Sequence, residues 1–559
     1  MGEAVHQLTH LRAAPLVTVA VFLLPVVAGL AGTLLPAFGY LPAIGGHELS
    51  LAPWRDLVAT PGFATSLAIT LLTGIVTPMV AAAIAFCFCA WAHGRPWMRR
   101  ASAAVTPILA TPHSAVAIGL AFVVAPSGWI VRLLSPWATG LDVPPDVATV
   151  GDPRGVALIV ALLVKEVPYL VLMIVGALAQ VRVDAHMAIA RSLGYSRASA
   201  WMKAIAPQVY RQVRLPIFAV VAFSLSVVDV ALVVGPSNPP TLAVLAMRGF
   251  TDADVARYFP ASAAAVLLFL LVMAVIAAWV TCERVARVLG RRWIAAGARN
   301  GASGPVAAAG SLAFAALALL AASSILSMAL WSVASQWRFP DALPSAWDVA
   351  QWSRRMSALA APFWTTLTTG VVSTLVALVL VVACLENEAR MRRRAGTGVL
   401  WLLYVPLLVP QIAFLFGAQV LLVRAGLDGT LAAVVWAHLV FVLPYLFLSL
   451  CDPWRALDPR YARSAASLGA SPLRVLVAVK IPLLSRPLLV ACAVAFAVSV
   501  AQYLPTVFAG NGLVATLTTE AVTLASGADR RVVGAYATLQ ALLPMAGFAV
   551  ALAWGRGTR

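Results

Sequence analysis

The chain has 559 residues, 62% of them hydrophobic and 11% charged, with a mean hydropathy of +0.93 and a formal net charge of +18. A soluble protein of this size has too little interior for so much apolar surface, so its solvent is a bilayer. The positive charge does not mark a nucleic-acid partner, because the basic residues are split among short loops and not gathered on one domain.

A membrane span needs about 20 apolar residues. Twelve are predicted, at 15–37, 63–90, 103–125, 156–179, 215–235, 260–282, 307–331, 363–385, 398–422, 431–450, 487–508 and 533–554, which makes the chain an all-α polytopic membrane protein. The first apolar stretch is too long for the core of a secretory signal and no cleavage site follows it, so it reads as a span. With the N-terminus inside and alternating crossings, 27 of the 39 Lys and Arg fall inside and 11 outside, while acids run 7 inside to 12 outside. The reverse topology would invert the positive-inside bias, so both termini are expected in the cytoplasm. Trp54, Trp129, Trp137, Trp331, Trp337, Trp347 and Trp352 lie near span ends and fit an interfacial belt.

Residues 283–306, ERVARVLGRRWIAAGARNGASGPV, form a basic cytoplasmic connection between spans six and seven. Residues 1–282 and 307–559 then hold six spans each. Phe63-Ala-Thr-Ser-Leu resembles Phe363-Trp-Thr-Thr-Leu, and Thr111-Pro112-His113 matches Val409-Pro410-Gln411. Two halves that both start inside and hold an even number of spans are parallel repeats. Gly194 lies 131 residues after Phe63 and Gly469 lies 106 after Phe363, so the first half carries about 25 extra residues, best placed in the outside loop 126–153.

The strongest repeat is a cytoplasmic loop. DAHMAIARSLGYSRASAWMKAIAP (184–207) and DPRYARSAASLGASPLRVLVAVKIP (458–482) superpose Ser192-Leu193-Gly194 on Ser467-Leu468-Gly469 and Pro207 on Pro482. Both follow an apolar segment with Pro-Tyr-Leu, at 168–170 and 444–446. Small residues of good helix propensity, an interrupting glycine and a terminal proline predict a helix–glycine–helix elbow along the inner face of the membrane. A basic loop has no need to occur twice at equivalent positions unless something docks there twice.

This loop resembles the Glu-Ala-Ala loop of permease subunits in binding-protein-dependent ABC importers. Ala188-Ile189-Ala190 and Arg463-Ser464-Ala465 stand in the Glu-Ala-Ala places, Gly194 and Gly469 in the glycine place, and Pro207 and Pro482 close the pattern. The glutamate is absent from both copies. The two-in-one layout is similar to fused permeases of the iron(III) and thiamine type. The runs Gly235-Pro236-Ser237-Asn238-Pro239-Pro240 and Ala515–Leu524 most resemble a bacterial subgroup named as thiamine permeases. The resemblance implies a multi-pass protein of the bacterial inner membrane whose elbows act as coupling helices. The implied partners are a cytoplasmic ATPase, in two copies, and a periplasmic substrate-binding protein. The chain contains no Gly-x4-Gly-Lys-Ser/Thr phosphate loop and only three lysines, so ATP hydrolysis would belong to a separate protein.

No metal or cofactor is expected. Cys87, Cys89, Cys282, Cys384, Cys451 and Cys492 read as free thiols filling packing space. Charges inside spans are costly and need a reason. Lys165 and Glu166 in span four and Asp229 in span five either line the substrate path or set packing. His113 and Gln411 occupy matching places after a proline that frees a carbonyl, and Gln502 lies near the counterpart of Asp229. His438 reads as a packed histidine. The alternative from another class is a twelve-span transporter driven by H⁺ or Na⁺, with Lys165, Glu166 and Asp229 as coupling residues. It accounts for parallel halves but not for a duplicated elbow.

Overall fold

A computed structural model describes residues 9–299, 303–391 and 396–554. Linker residues 300–302, the basic residues Arg392, Arg393, Arg394, Arg556 and Arg559, and both chain ends lie outside the described residues.

The principal helices, in order, are α1 (Thr9–Ala37), α2 (Phe63–Ala92), α3 (Trp97–Ala110), α4 (His113–Val124), α5 (Val156–Leu178), α6 (Val183–Ser192), α7 (Ala206–Ser226), α8 (Asp229–Val234), α9 (Leu242–Phe250) and α10 (Tyr258–Ala295). They continue with α11 (Ser303–Val333), α12 (Met356–Met391), α13 (Thr397–Leu408), α14 (Gln411–Arg424), α15 (Leu431–Ala456), α16 (Pro459–Ser467), α17 (Ser485–Val500), α18 (Leu504–Gly510), α19 (Leu517–Ala525) and α20 (Arg530–Trp554). A short antiparallel pairing of Ala334–Gln336 with Ala346–Trp347 is the one sheet among the described residues. The all-α membrane architecture is thus as expected.

Among the described residues nine helices are long and apolar enough to cross a membrane, and eleven spans result if two bent pairs each count as one. Twelve were expected. The missing one is 215–235, where α7 starts with Gln208, Arg211, Gln212 and Arg214 and the chain breaks at Val227 and Val228 before α8. The ninth expected span is one of the bent pairs: Trp401–Leu408 and Gln411–Arg424 meet at 93° across Val409-Pro410. The matching Thr111-Pro112 likewise parts α3 from α4. In both cases the proline has no N–H for the helical ladder and adopts an extended ψ, 150° at Pro112 and 129° at Pro410.

The first helix of each half packs across the other half. α1 lies along α14, and α11 lies along α2, α4 and α20. The crossings are backbone-close at small residues. A Cβ on Gly417 would stand 2.0 Å from the Gly29 carbonyl oxygen, and one on Gly119 would stand 2.2 Å from that of Ser324. Gly119 and Gly417 hold the same place, six residues after His113 and Gln411. Small residues let membrane helices approach closely enough for dispersion to hold them.

Hydrogen bonds also fix the register of the second spans. Thr70 Oγ1 accepts from the Leu242 N–H and Thr366 Oγ1 from the Leu517 N–H, both at 2.8 Å. This pairs Thr70-Leu-Leu-Thr73-Gly74 with Thr366-Leu-Thr-Thr369-Gly370, four residues away from the Phe63/Phe363 match drawn from sequence. The phenylalanine match therefore yields to one held by buried hydroxyls.

Candidate functional site

The two elbows have the same backbone. In the first, α6 ends at Gly194, with φ +85°; in the second, α16 ends at Gly469, with φ +82°. Ser196 and Ser471 then cap the next turns, their hydroxyls accepting from the Ser199 and Arg474 N–H groups at 3.3 Å. Each turn runs into a π-helical stretch, Trp201–Ile205 and Leu476–Lys480. There Ala206 N–H donates to Trp201 and Ile481 N–H to Leu476, five residues back. Pro207 and Pro482 explain the wider turn. Each lacks the N–H that would continue the i−4 ladder, and its ring crowds the carbonyl there. Ala188 and Arg463 are exposed at matching places, and Ala190 and Ala465 half-buried. Gly194, Pro207, Gly469 and Pro482 are exposed.

The anchors differ. Beneath the first elbow the fully buried Trp201 packs edge-on to Phe86, at 6.2 Å between ring centroids. Lys203 Nζ donates to the carbonyls of Trp293 (3.2 Å) and Ala298 (2.9 Å). His93, at the end of α2, has its pKa lowered first by burial and then by Arg197, with Asp184 opposing. The second elbow hangs on the C-terminal end of α12: Lys480 Nζ lies 2.6 Å from Glu386, which also holds Arg390 at 2.8 Å. Arg455 pairs with Glu388 at 2.9 Å beside them. The sequence reading missed Trp201, Lys203, Glu386 and Lys480. A lysine and a glutamate 94 residues apart carry no local signal of contact.

The intramembrane residues separate into two groups. Lys165 is buried, and its Nζ donates to the carbonyls of Ile108 (2.8 Å), Leu109 (3.2 Å) and Thr111 (2.5 Å). These are the groups freed where α3 ends at the Pro112 break, so Lys165 caps a helix C-terminus. Glu166, its neighbour, points elsewhere: its Oε1 is 3.4 Å from His113 Nε2, at the first residue of α4. The His113 ring is 4.7 Å from that of Phe223. Asp229 opens α8 at the break in span five and lies within electrostatic range of His113, as Tyr503 does of Asp229. Tyr169 and Tyr445, from the two Pro-Tyr-Leu segments, are both within electrostatic range of Glu166. The structure thus sets Glu166 against His113 at the start of α4, with Asp229 at the start of α8 and tyrosines of both halves near enough to act on them electrostatically. Gln411 opens α14 as His113 opens α4. Gln502, in the break between α17 and α18, donates to the Val498 carbonyl at 3.1 Å. The residue that opens α18, and so matches Asp229, is Leu504. His438 bonds Ser499 (2.8 Å) and Thr506 (2.9 Å), a packed histidine with both nitrogens used.

Farther along α4, away from the elbows, a cavity of about 380 Å³ lies between Ile118, Phe122, Val233, Ser526 and Arg530. Arg530 donates to the Ser127 carbonyl and hydroxyl at 3.2 and 2.9 Å. The arrangement places the elbows at one end, a cavity toward the other and a polar cluster between, and no group of three or more His, Cys, Asp or Glu side chains is placed to hold a metal among the described residues.

No protein-family profile matches the chain. It is 33% identical over 504 residues, 90% of its own length and 90% of the relative's, to the inner membrane ABC transporter permease protein YnjC of Escherichia coli (strain K12). Identity at that level over nearly the whole length displaces the ion-coupled reading: the chain belongs to the inner-membrane permease subunits of ABC transporters.

Proposed function

We propose that this chain is a two-in-one permease of an importer, with residues 1–282 and 307–559 as its two repeats and both termini in the cytoplasm. The observation that carries the reading is the duplicated elbow, alike in φ, serine cap and π turn although its two sequences share few residues. Each elbow seats one copy of a separate ATPase, through Ala188, Ala190, Gly194 and Pro207 in the first and Arg463, Ala465, Gly469 and Pro482 in the second. A periplasmic binding protein delivers solute to the opposite face. Closure of the ATPase pair moves the elbows, and rocking of the halves opens the path. The path runs by His113, Glu166 and Asp229, where two acids and nearby tyrosines suit a cationic solute. A thiamine-like compound and iron(III) are the candidates that the family resemblance suggests.

The test is site-specific crosslinking in the transporter assembled with its ATPase. Leu193 and Leu468 are 55% and 87% exposed on the two elbows. Photoreactive residues at both places should capture ATPase. Capture at neither would remove the docking reading. Reconstituted vesicles should accumulate solute from the binding-protein side, and movement in the other direction would overturn the importer reading.

A further inference from the structure

The helix of the sixth span is longer than a membrane requires. α10 has 38 residues, roughly 57 Å at 1.5 Å per residue. The hydrocarbon core is about 30 Å thick and the bilayer with headgroups about 40–45 Å. From Tyr258 at one interface, the helix clears the far headgroups after roughly 25 residues. Arg284 to Ala295 then project into the cytoplasm.

This projection has two faces. Val285, Val288, Leu289 and Trp293, at helical spacing, are 56%, 53%, 56% and 45% exposed. Arg284, Arg287 and Arg291 lie on the adjoining face, exposed, and form no ion pair among the described residues. The acid at its base, Glu283, is already engaged by Arg214 (2.9 Å) and Tyr210 (2.6 Å). The far end is fastened to the first elbow. Besides the two Lys203 hydrogen bonds, the Lys203 ammonium lies 4.6 Å from the Trp293 ring centroid. The Ser196 N–H donates to the Arg299 carbonyl at 3.4 Å. A Cβ on Gly194 would rest 3.4 Å from Arg299 Cδ, whereas beside Gly469 there is open space. The second elbow is fastened instead to the end of α12, through Lys480–Glu386 and the Arg390 hydrogen bond to the Pro472 carbonyl, and those charged groups are engaged with one another.

We propose that the two ATPase-docking surfaces are unequal: the ATPase copy on the first elbow also packs an acidic, partly apolar surface against Arg284–Arg299, and the second copy engages its elbow alone. This rests on the reading of the elbows as ATPase seats. The occupant follows from position and charge. The projection stands beyond the headgroups, level with the elbow it holds, so the body that reaches the elbow reaches it too. Its unpaired guanidinium groups call for carboxylates on that body.

The experiment uses the full transporter with its ATPase. A photoreactive residue at Leu289 should capture ATPase, as should those at Leu193 and Leu468. Arg287→Glu with Arg291→Glu should lower the retained ATPase from two copies to one per permease, with Leu193 capture lost and Leu468 capture kept. Arg287→Lys with Arg291→Lys should retain both copies. Capture of lipid alone at Leu289, or two retained copies in the charge-reversed protein, overturns the composite surface. Failure of Leu193 and Leu468 to capture ATPase in the unaltered protein would instead overturn the reading on which it rests.

Discussion

Valine at the elbow glycines is the sharpest test of coupling. Gly194 and Gly469 have φ of +85° and +82°, a region that costs an L-residue about 1–2 kcal/mol and a strained β-branched one up to about 3. Steric clash adds little. A Cβ at Gly194 would make an ordinary 3.4 Å contact with Arg299, and at Gly469 would meet nothing within 4 Å. Backbone strain alone thus sets the effect. At about 1.4 kcal/mol per tenfold, a cost of 2–3 kcal/mol reduces the population of the native elbow roughly 30–150-fold. Gly469→Val should therefore sharply lower solute-stimulated ATP hydrolysis in reconstituted transporter. Gly194→Val should do less, because Lys203 and the Trp293–Arg299 segment hold that elbow from outside. Asparagine, which tolerates this conformation, should restore most activity at either place. Membrane insertion should be unchanged, since the spans are untouched. Equal activity for valine and asparagine at Gly469 would refute the argument. If asparagine fails as badly as valine, the glycine serves close approach to the ATPase and not its φ.

Three further outcomes follow from the same geometry. Glu386→Gln leaves the Lys480 ammonium buried without its acid, a loss of about 3–5 kcal/mol for a broken buried pair; thermal unfolding and ATPase coupling should both suffer, and Glu386→Gln with Lys480→Gln should regain much of the stability. Lys165→Met strips a donor from three carbonyls, at about 1–3 kcal/mol each, and should lower the unfolding temperature, whereas Glu166→Gln and Asp229→Asn should lower uptake with little change in unfolding; unchanged uptake in both would make them packing residues. His93 has a depressed pKa, so the folded state favours its neutral form. The stability this confers is complete above the ordinary imidazole value of 6.5 and is lost as pH falls through the folded value; hydrogen exchange of the first elbow should rise on acidification in the native chain and stay flatter in His93→Gln, and identical pH profiles would remove His93 from the account.

What the sequence shows and hides follows from the range of each signal. Hydropathy is summed over about 20 residues, so eleven of twelve expected spans were legible. The exception is α7, whose polar first turns belong to the elbow and whose break at Val227 and Val228 leaves it short. The elbows were legible because repetition turns a weak local pattern into a strong one, yet their π turns were not, although Pro207 and Pro482 were in plain view. A proline removes one hydrogen bond, and only the packed structure decides whether the helix kinks, stops or widens. Lys165 and Glu166 make the same point at the site. Adjacent on a helix, they point about 100° apart, one to the carbonyls of a broken helix and the other to His113. Composition marks both as costly. Only the break at Pro112, which places an end of one helix beside the middle of another, makes the first a cap and turns the second toward His113 at the start of the next helix.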